Sequence, residues 1–383
     1  MKVETLTNPK EFRRKLRQRT NMGAKYVSYE LELDTAPTFP DRVYIESTNV
    51  CNLDCIMCPT GLHIDTRPKG YIDWDLYTAI VDEIAPFAHA IVLHSWGEPL
   101  LHKRIIDMIR YAKERNLWVE TSTNAMLLDE KRAREVIEAG LDRIFLSMDG
   151  LTKETYEKVR VGGTFERVLG NIERFLALKD ELGSKIEADI QIVRLSETDG
   201  EVEEFVRRWS QSHADVVNIK ELDTWGGQIG EVNELAVEEN GNDANDVRKP
   251  CPNLWYHCHI HWDGVLVSCS RDYDAVTPLG NVKNGGVLKT WHGARMQMMR
   301  RWHAEGNFCA AQCVSCTEWN WWTPTPWGGG GTGGKVSRVK KDKEKKTVEV
   351  KGFKPIAVVK GASGNGNGNG SGASCGDSCG TET

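Results

Sequence analysis

The sequence predicts an α/β fold: a parallel sheet wrapped by helices, then a small cysteine- and tryptophan-rich unit and a glycine-rich tail. Three observations carry this. Between residues 41 and 222, short apolar runs alternate six times with segments whose apolar residues recur three and four positions apart. The connections between them are short, which argues for parallel strands joined through helices. Beyond residue 250 the alternation stops, and cysteine, tryptophan and glycine take over.

The strands are read at Val43–Glu46, Ala90–His94, Trp118–Ser122, Arg143–Ser147, Glu187–Val193 and Val216–Lys220. Helices with one apolar stripe lie between them, at Trp74–Ile84, Lys103–Arg115, Asp129–Ala139, Phe165–Leu182 and Glu201–Ser210. Ahead of the first strand, residues 1–40 form a basic extension whose run Phe12–Arg19 is expected to be a solvated helix face. Capping the sheet or meeting a partner is its alternative role. Residues 41–222 are the sheet-and-helix unit, 223–250 a Gly/Asn/Asp-rich connector, and 251–327 the cysteine-rich unit. Residues 328–383 have no composition for a core and are expected to form a flexible tail, with one strand-like piece at 347–360.

A chain of 383 residues has room for two cores. Its net charge of −6 gives no support to a nucleic-acid or membrane surface. No apolar run approaches the ~20 residues that span a bilayer, and Met1–Lys10 lacks the apolar core of a signal peptide. A cytoplasmic location is therefore expected. Eleven cysteines in that compartment suit metal ligation better than disulfides.

The most informative run is Cys51-Asn-Leu-Asp-Cys55-Ile-Met-Cys58, directly after the first strand. Three thiolates in eight residues can each hold one iron of a four-iron cluster and leave the fourth without a protein ligand. A closed structural site would want four ligands, so the missing one reads as an open position. A zinc site or unrelated thiols is the alternative. In this spacing and setting the chain resembles the radical S-adenosylmethionine superfamily. That resemblance implies a partial (β/α)6 TIM-like barrel, with chemistry at the C-terminal ends of the strands.

The resemblance also carries site residues. Ser95-Trp-Gly97-Glu98-Pro matches the family's Gly-Gly-Glu-Pro segment, which receives the amino group of the cofactor's methionine moiety, although Trp96 replaces the first glycine. A plain helix-start role for Glu98 stays open. Met57 holds the place of an aromatic near the adenine, or fills core space. Ser122 and Asn124 after the third strand, and Ser147 after the fourth, resemble segments near the ribose and carboxylate; ordinary turns and caps are the alternative. Arg160 resembles a carboxylate-binding arginine, with a surface salt bridge as the other reading. Gln191 and Val193 are placed near the adenine by position. The implied chemistry is chelation of S-adenosylmethionine by the open iron, and one-electron cleavage to a 5′-deoxyadenosyl radical that abstracts hydrogen. A flavodoxin- or ferredoxin-type reductant would supply the electron.

Cys309-Ala-Ala-Gln-Cys313-Val-Ser-Cys316 repeats the spacing, but follows a helix (Met296–Glu305) and has no strand–helix array after it. With Cys251, Gly264 and Cys269 it resembles the family's auxiliary-cluster extension, whose full form is called SPASM and whose shortened form is called twitch. The resemblance implies one auxiliary 4Fe–4S cluster on Cys251, Cys269, Cys313 and Cys316, with Cys258 and Cys309 as spare or alternate ligands. Cys375 and Cys379 in the tail would be needed for a second. Eight tryptophans crowd 251–327, as core or as a dry wall around a cluster. His257, His259 and His261 alternate and fall on one strand face. Asp272 is a candidate proton acceptor, and Arg271 a residue to orient substrate.

Two enzyme classes follow: a maturase that modifies a peptide or protein, and a dehydrogenase of a small sugar or aminocyclitol alcohol. The forty residues before the first strand are short for a separate leader-peptide-binding domain. A non-enzymatic electron-transfer or cluster-carrier module is the third reading.

Overall fold

The structure is a computed structural model that describes residues 9–237 and 248–325, with short strands at 336–340, 347–348 and 356–357. Helix α1 (Pro9–Glu30) precedes the array β1 (Arg42–Ile45), α2 (Trp74–Ile84), β2 (Ala90–Val92), α3 (Ile105–Glu114), β3 (Trp118–Thr123), α4 (Glu130–Glu138) and β4 (Arg143–Ser147). Then come α5 (Lys153–Val159), α6 (Phe165–Glu181), β5 (Glu187–Arg194), α7 (Val202–Ser210) and β6 (Val216–Glu221). Strands β1 to β6 pair in chain order and all in parallel, as the alternation predicts.

Local chemistry explains the helix starts. Asp73 accepts from the N–H groups of Asp75 and Leu76, Asp129 from Arg132, and Thr152 from Thr155, each satisfying an otherwise orphaned first-turn donor. Outward-facing strand residues such as Val43, Ile91, Ile144 and Ile190 are fully buried beneath the helices. Burial of this kind is the main stabilising term.

The sheet does not stop at the expected unit boundary. Strand β7 (His257–Ile260) pairs in parallel with β1, with Tyr44 opposite His259. Strands β8 (Val265–Val267) and β9 (Gly280–Asn281) extend it antiparallel. On the far edge, β10 (Val336–Lys340) pairs antiparallel with β6. Five residues of the stretch expected to be a flexible tail therefore belong to the sheet, and the Gly-rich remainder with Cys375 and Cys379 lies outside the described residues. The result is a partial, unclosed barrel whose first strand is shared with the cysteine-rich unit.

The basic run Phe12–Arg19 is largely exposed, as a solvated face would be, while its helix packs on the barrel through Gln18 and residues beyond the run. Gln18 donates to Ala88 O (2.7 Å), and Asn21 and Phe39 bond reciprocally at 2.6 and 2.9 Å. Lys25 is buried, ion-paired with Asp41, and 4.9 Å from the Tyr256 ring centroid. Burial lowers its pKa against the pull of Asp41. Helix α1 is thus fixed to the barrel by its polar side chains. Among the described residues, no helix is long and apolar enough to cross a membrane.

Candidate functional site

A cavity of about 620 Å3 occupies the barrel interior, and Cys51, Cys55 and Cys58 line it together. Cys58 N–H donates to Cys55 O at 3.1 Å, which turns the loop so that the thiols converge. Cys55 feels the charge of both other thiols, and Cys51 that of Cys58. Burial pushes the Cys51 thiol up to about 11 and Cys55 to about 12. Gly97 holds the next strand end against this loop. Its φ is +77°, and a Cβ there would lie 2.5 Å from Val50 O and 2.6 Å from Thr48 O. Only glycine permits that approach, and the Glu98 N–H then donates to Val50 O at 2.9 Å.

Glu98 lines the cavity while its carboxylate braces two strand ends. It accepts from Leu100 N–H (3.0 Å), the Thr123 hydroxyl (2.8 Å) and Asn124 N–H (2.8 Å). The helix-start role and the cavity-wall role therefore coexist in one residue. Burial raises its pKa in spite of these donors. Asn124 Nδ2 donates to Asn52 Oδ1 at 3.0 Å and lies 4.0 Å from Cys51 Sγ.

Arg160 is not the surface salt bridge that was one of its two readings. Its side chain is 13% exposed and fully ion-paired with Asp149, which is buried; the Nε–Oδ2 distance is 2.6 Å. Its Nη1 lies 3.6 Å from Cys55 Sγ. Burial opposes its charge, but Asp149 and Cys55 hold it protonated well above the ordinary arginine range. Met57 is 7% exposed, lines the cavity, and its carbonyl accepts from Trp225 Nε1 at 2.7 Å. Gln191 Nε2 donates to Ser147 Oγ (2.9 Å); these two, Ser122 and Val193 also line the cavity. Trp96 packs against Trp225 with centroids 4.8 Å apart and the rings tilted by 57°, and its indole N–H is buried without a partner.

A second thiol set lies in the cysteine-rich unit. Cys313 feels Cys269, Cys251 and Cys316, and Cys316 feels Cys251 and Cys269. Burial raises all four thiols, Cys269 to about 12. Cys258, offered as an alternate ligand, is not with them. It is buried on the opposite face of β7, where Glu83 is its charged neighbour. Cys309 is exposed.

These donor sets fit iron–sulfur clusters. Among the described residues, no three His, Cys, Asp or Glu side chains group tightly enough to hold a single metal ion. The first set has three thiols with a cation and an amide beside the sulfurs; the second has four.

Between the sets stands a charged group of which the sequence reading named only Arg271. Arg271 donates to Asp223 Oδ1 at 3.1 Å and Oδ2 at 2.8 Å, and sits 3.4 Å from Glu318 Oε2. All three line the cavity. Burial pushes Asp223 up, whereas Arg271 and the Thr224 donors outweigh burial at Glu318 and hold it below the usual carboxylate range. Cys316 Sγ lies 3.3 Å from Glu318 Oε2, so this group touches the second thiol set directly. Asp223 was findable, because it follows the C-terminal end of the sixth strand.

Asp272 requires correction. It does not line the cavity, and its two oxygens accept from the backbone N–H groups of Val276 (2.7 Å) and Thr277 (3.1 Å). It closes its own loop and offers no path to a substrate proton. The histidine strand does turn one face inward: His257 and His259 line the cavity.

The profile described as the radical SAM superfamily matches residues 45–208, and that of the SPASM iron-sulfur cluster-binding domain matches 251–317. The chain is 29% identical over 318 residues to the tungsten-containing aldehyde ferredoxin oxidoreductase cofactor-modifying protein of Pyrococcus furiosus, covering 72% of this chain and 86% of that one. It is 33% identical over 135 residues to the AdoMet-dependent heme synthase of Methanosarcina barkeri, covering 35% of this chain and spanning only 38% of that relative's length. Among solved structures, Streptococcus suis SuiB bound to precursor peptide SuiA matches with TM-score 0.54 at 14% identity, over 76% of this chain and 72% of SuiB. BtrN in complex with AdoMet and 2-DOIA matches with TM-score 0.51 at 17% identity, over 73% and 92% respectively. At these identities the two structures share the fold with this chain.

Proposed function

The chain belongs to the radical S-adenosylmethionine superfamily and carries its SPASM-type extension, and from that premise we propose that it is a maturase abstracting hydrogen from a peptide or protein side chain held in the 620 Å3 cavity. Its cofactors are S-adenosylmethionine and 4Fe–4S clusters. Cys51, Cys55 and Cys58 would hold the cluster that binds S-adenosylmethionine, and Cys251, Cys269, Cys313 and Cys316 the auxiliary one. When bound and reduced, the first cluster supplies the electron that cleaves S-adenosylmethionine to methionine and a hydrogen-abstracting 5′-deoxyadenosyl radical.

The residues of this chain set the conditions. Gly97 and Glu98 lock the cysteine loop to the ends of β2 and β3. Arg160 brings a fixed positive charge to Cys55, which favours the thiolate. Trp225 caps the Met57 carbonyl and Trp96 packs against Trp225, an apolar wall at this end that would help keep water out. At the other end, Arg271 with Asp223 and Glu318 separates the cavity from the four-thiol set. The single observation carrying the proposal is that one cavity reaches both the three thiols and this gate, so a substrate would meet both ends.

SuiB, whose solved complex holds a precursor peptide, supports the peptide reading by its fold. The small-alcohol dehydrogenase reading keeps one supporting observation, the single four-thiol auxiliary set among the described residues. The deciding experiment gives anaerobic, reconstituted protein a deuterated peptide substrate candidate. Deuterium in 5′-deoxyadenosine supports the reading, and absence of 5′-deoxyadenosine from dithionite-reduced holoprotein overturns it.

A further inference from the structure

The cavity wall built from β1, β6, β7 and the segment after β2 carries polar groups without a hydrogen-bond partner among the described residues. His259 is 5% exposed, stacks on Tyr44 at 4.3 Å, and neither of its ring nitrogens has a partner. Asn218, also 5% exposed, has an unpartnered Oδ1. His94 Nδ1 and Arg42 Nε are buried without hydrogen bonds as well. All four residues line the one cavity, as does Lys220. Arg42 and Lys220 both act on His94, and Arg42 also acts on His259, so these side chains share one region. Buried polar atoms are ordinarily paired, and this many orphans on one wall signal a missing ligand.

The charges identify its class. Arg42 pairs with Glu120, Arg143 with Glu120, Glu187 and Asp189, Arg160 with Asp149, and Arg271 with Asp223 and Glu318. Among the described residues, Lys220 is the lining cation with no carboxylate at ion-pair distance. A lysine without a carboxylate at ion-pair distance, beside the unpartnered Arg42 Nε–H and the ring nitrogens of His94 and His259, calls for a negative charge with acceptor oxygens. A phosphoryl dianion is better matched by a free guanidinium fork, and Arg42 already gives its Nη2 to Glu120. A neutral polyol would leave the ammonium unpaired.

We propose that this wall binds a carboxylate of the substrate, with Lys220 as its ion-pair partner and Arg42 Nε–H, His94 and His259 as hydrogen-bonding neighbours. This rests on the cavity being the substrate site, and gives the substrate an acidic group: a Glu or Asp side chain of a peptide, or the carboxylate of a free small molecule.

The test needs no turnover, so it is read separately from S-adenosylmethionine cleavage. Holoprotein with bound S-adenosylmethionine is titrated calorimetrically with glutarate and with its neutral diamide, glutaramide, at equal ionic strength. Glutarate should bind at least tenfold more tightly than the diamide. Lys220→Met should remove that difference and Lys220→Arg should keep it within a few-fold. A second arm titrates the blocked pentapeptide Gly-Gly-Glu-Gly-Gly and its Gln counterpart. Tighter binding of the Glu peptide than of glutarate assigns an acidic side chain, and the reverse assigns a free small molecule. Equal binding of glutarate and glutaramide to the wild type, no glutarate binding at millimolar concentration, or wild-type affinity in Lys220→Met overturns the proposal.

Discussion

The two cysteine runs share one spacing and have different fates. In 51–58 all three thiols line one cavity beneath the strand ends. In 309–316 the first cysteine faces solvent, and the other two join Cys251 and Cys269 from distant sequence. The difference is context. The first run is pinned by a strand before it and by Gly97 and Arg160 beside it, so its three residues act as a closed local unit. The second begins before the short helix Ala311–Val314, which turns Cys313 and Cys316 inward together and leaves Cys309 outside. Spacing names a ligand type; the surrounding elements decide how many of the thiols can serve.

The largest effect that separates the two sets comes from deleting one ligand in each. Anaerobically reconstituted wild type should hold about eight irons, from two four-iron clusters. Cys55→Ala should fall to about four and lose 5′-deoxyadenosine formation completely. Cys313→Ala should also fall to about four while still cleaving S-adenosylmethionine. If both variants lose both clusters, the sets are one cooperative site and the contrast fails. A wild-type content near twelve would bring Cys375 and Cys379 into the count.

Next in size is the buried ion pair behind the first set. Asp149→Asn leaves Arg160 charged and buried beside Cys55. Breaking such a pair costs about 3–5 kcal/mol, which thermal or denaturant unfolding would detect as a large fall in stability. The second set has its counterpart in Arg271 with two carboxylates, so Asp223→Asn should cost less because Glu318 remains. Equal losses would show that the two gates are built alike.

Acid should strain the barrel wall first. Burial, with Arg42 and other nearby cations, lowers His94 and His257 from 6.5 to about 3. Their folded-state pKa lies below the unfolded value, so the unfolded chain binds more protons between pH 6.5 and 3. Stability is therefore complete above pH 6.5 and falls as pH drops through that window. At pH 5 each such histidine should remove about 2 kcal/mol. Unfolding midpoints measured from pH 7.5 to 4.5 should show this slope in the wild type and a shallower one in His94→Gln; parallel slopes would place the acid sensitivity elsewhere.

Much of this architecture was legible because it is written locally. Alternating apolar runs set the six parallel strands, and the C-x3-C-x2-C loop sits where a strand end leaves it. Helix α5 was passed over because it is seven residues long and its signal is one Thr152 cap. The pairing of β7 with β1 joins residues more than two hundred positions apart, and no local pattern encodes it. The same holds for Asp223, Arg271 and Glu318: Arg271 meets Asp223 across 48 positions and Glu318 across 47. Asp272 misled for the opposite reason: its partners are backbone N–H groups four and five residues on, a local use that any loop aspartate can find.

The smallest expected effect is the sharpest check on ligand counting. Cys258 and Cys309 were both candidates for the auxiliary cluster, and the fold separates them from it in different ways. Cys309 is exposed, so Cys309→Ser should change neither iron content nor unfolding midpoint beyond about 0.5 kcal/mol. Cys258 is fully buried against the helix side of β7, so Cys258→Ser should keep all the iron but destabilise the fold by about 1–3 kcal/mol through an unpaired hydroxyl. Iron lost from Cys309→Ser with stability unchanged would make the second run a three-thiol site like the first. The contrast between the two runs would then reduce to their neighbours alone.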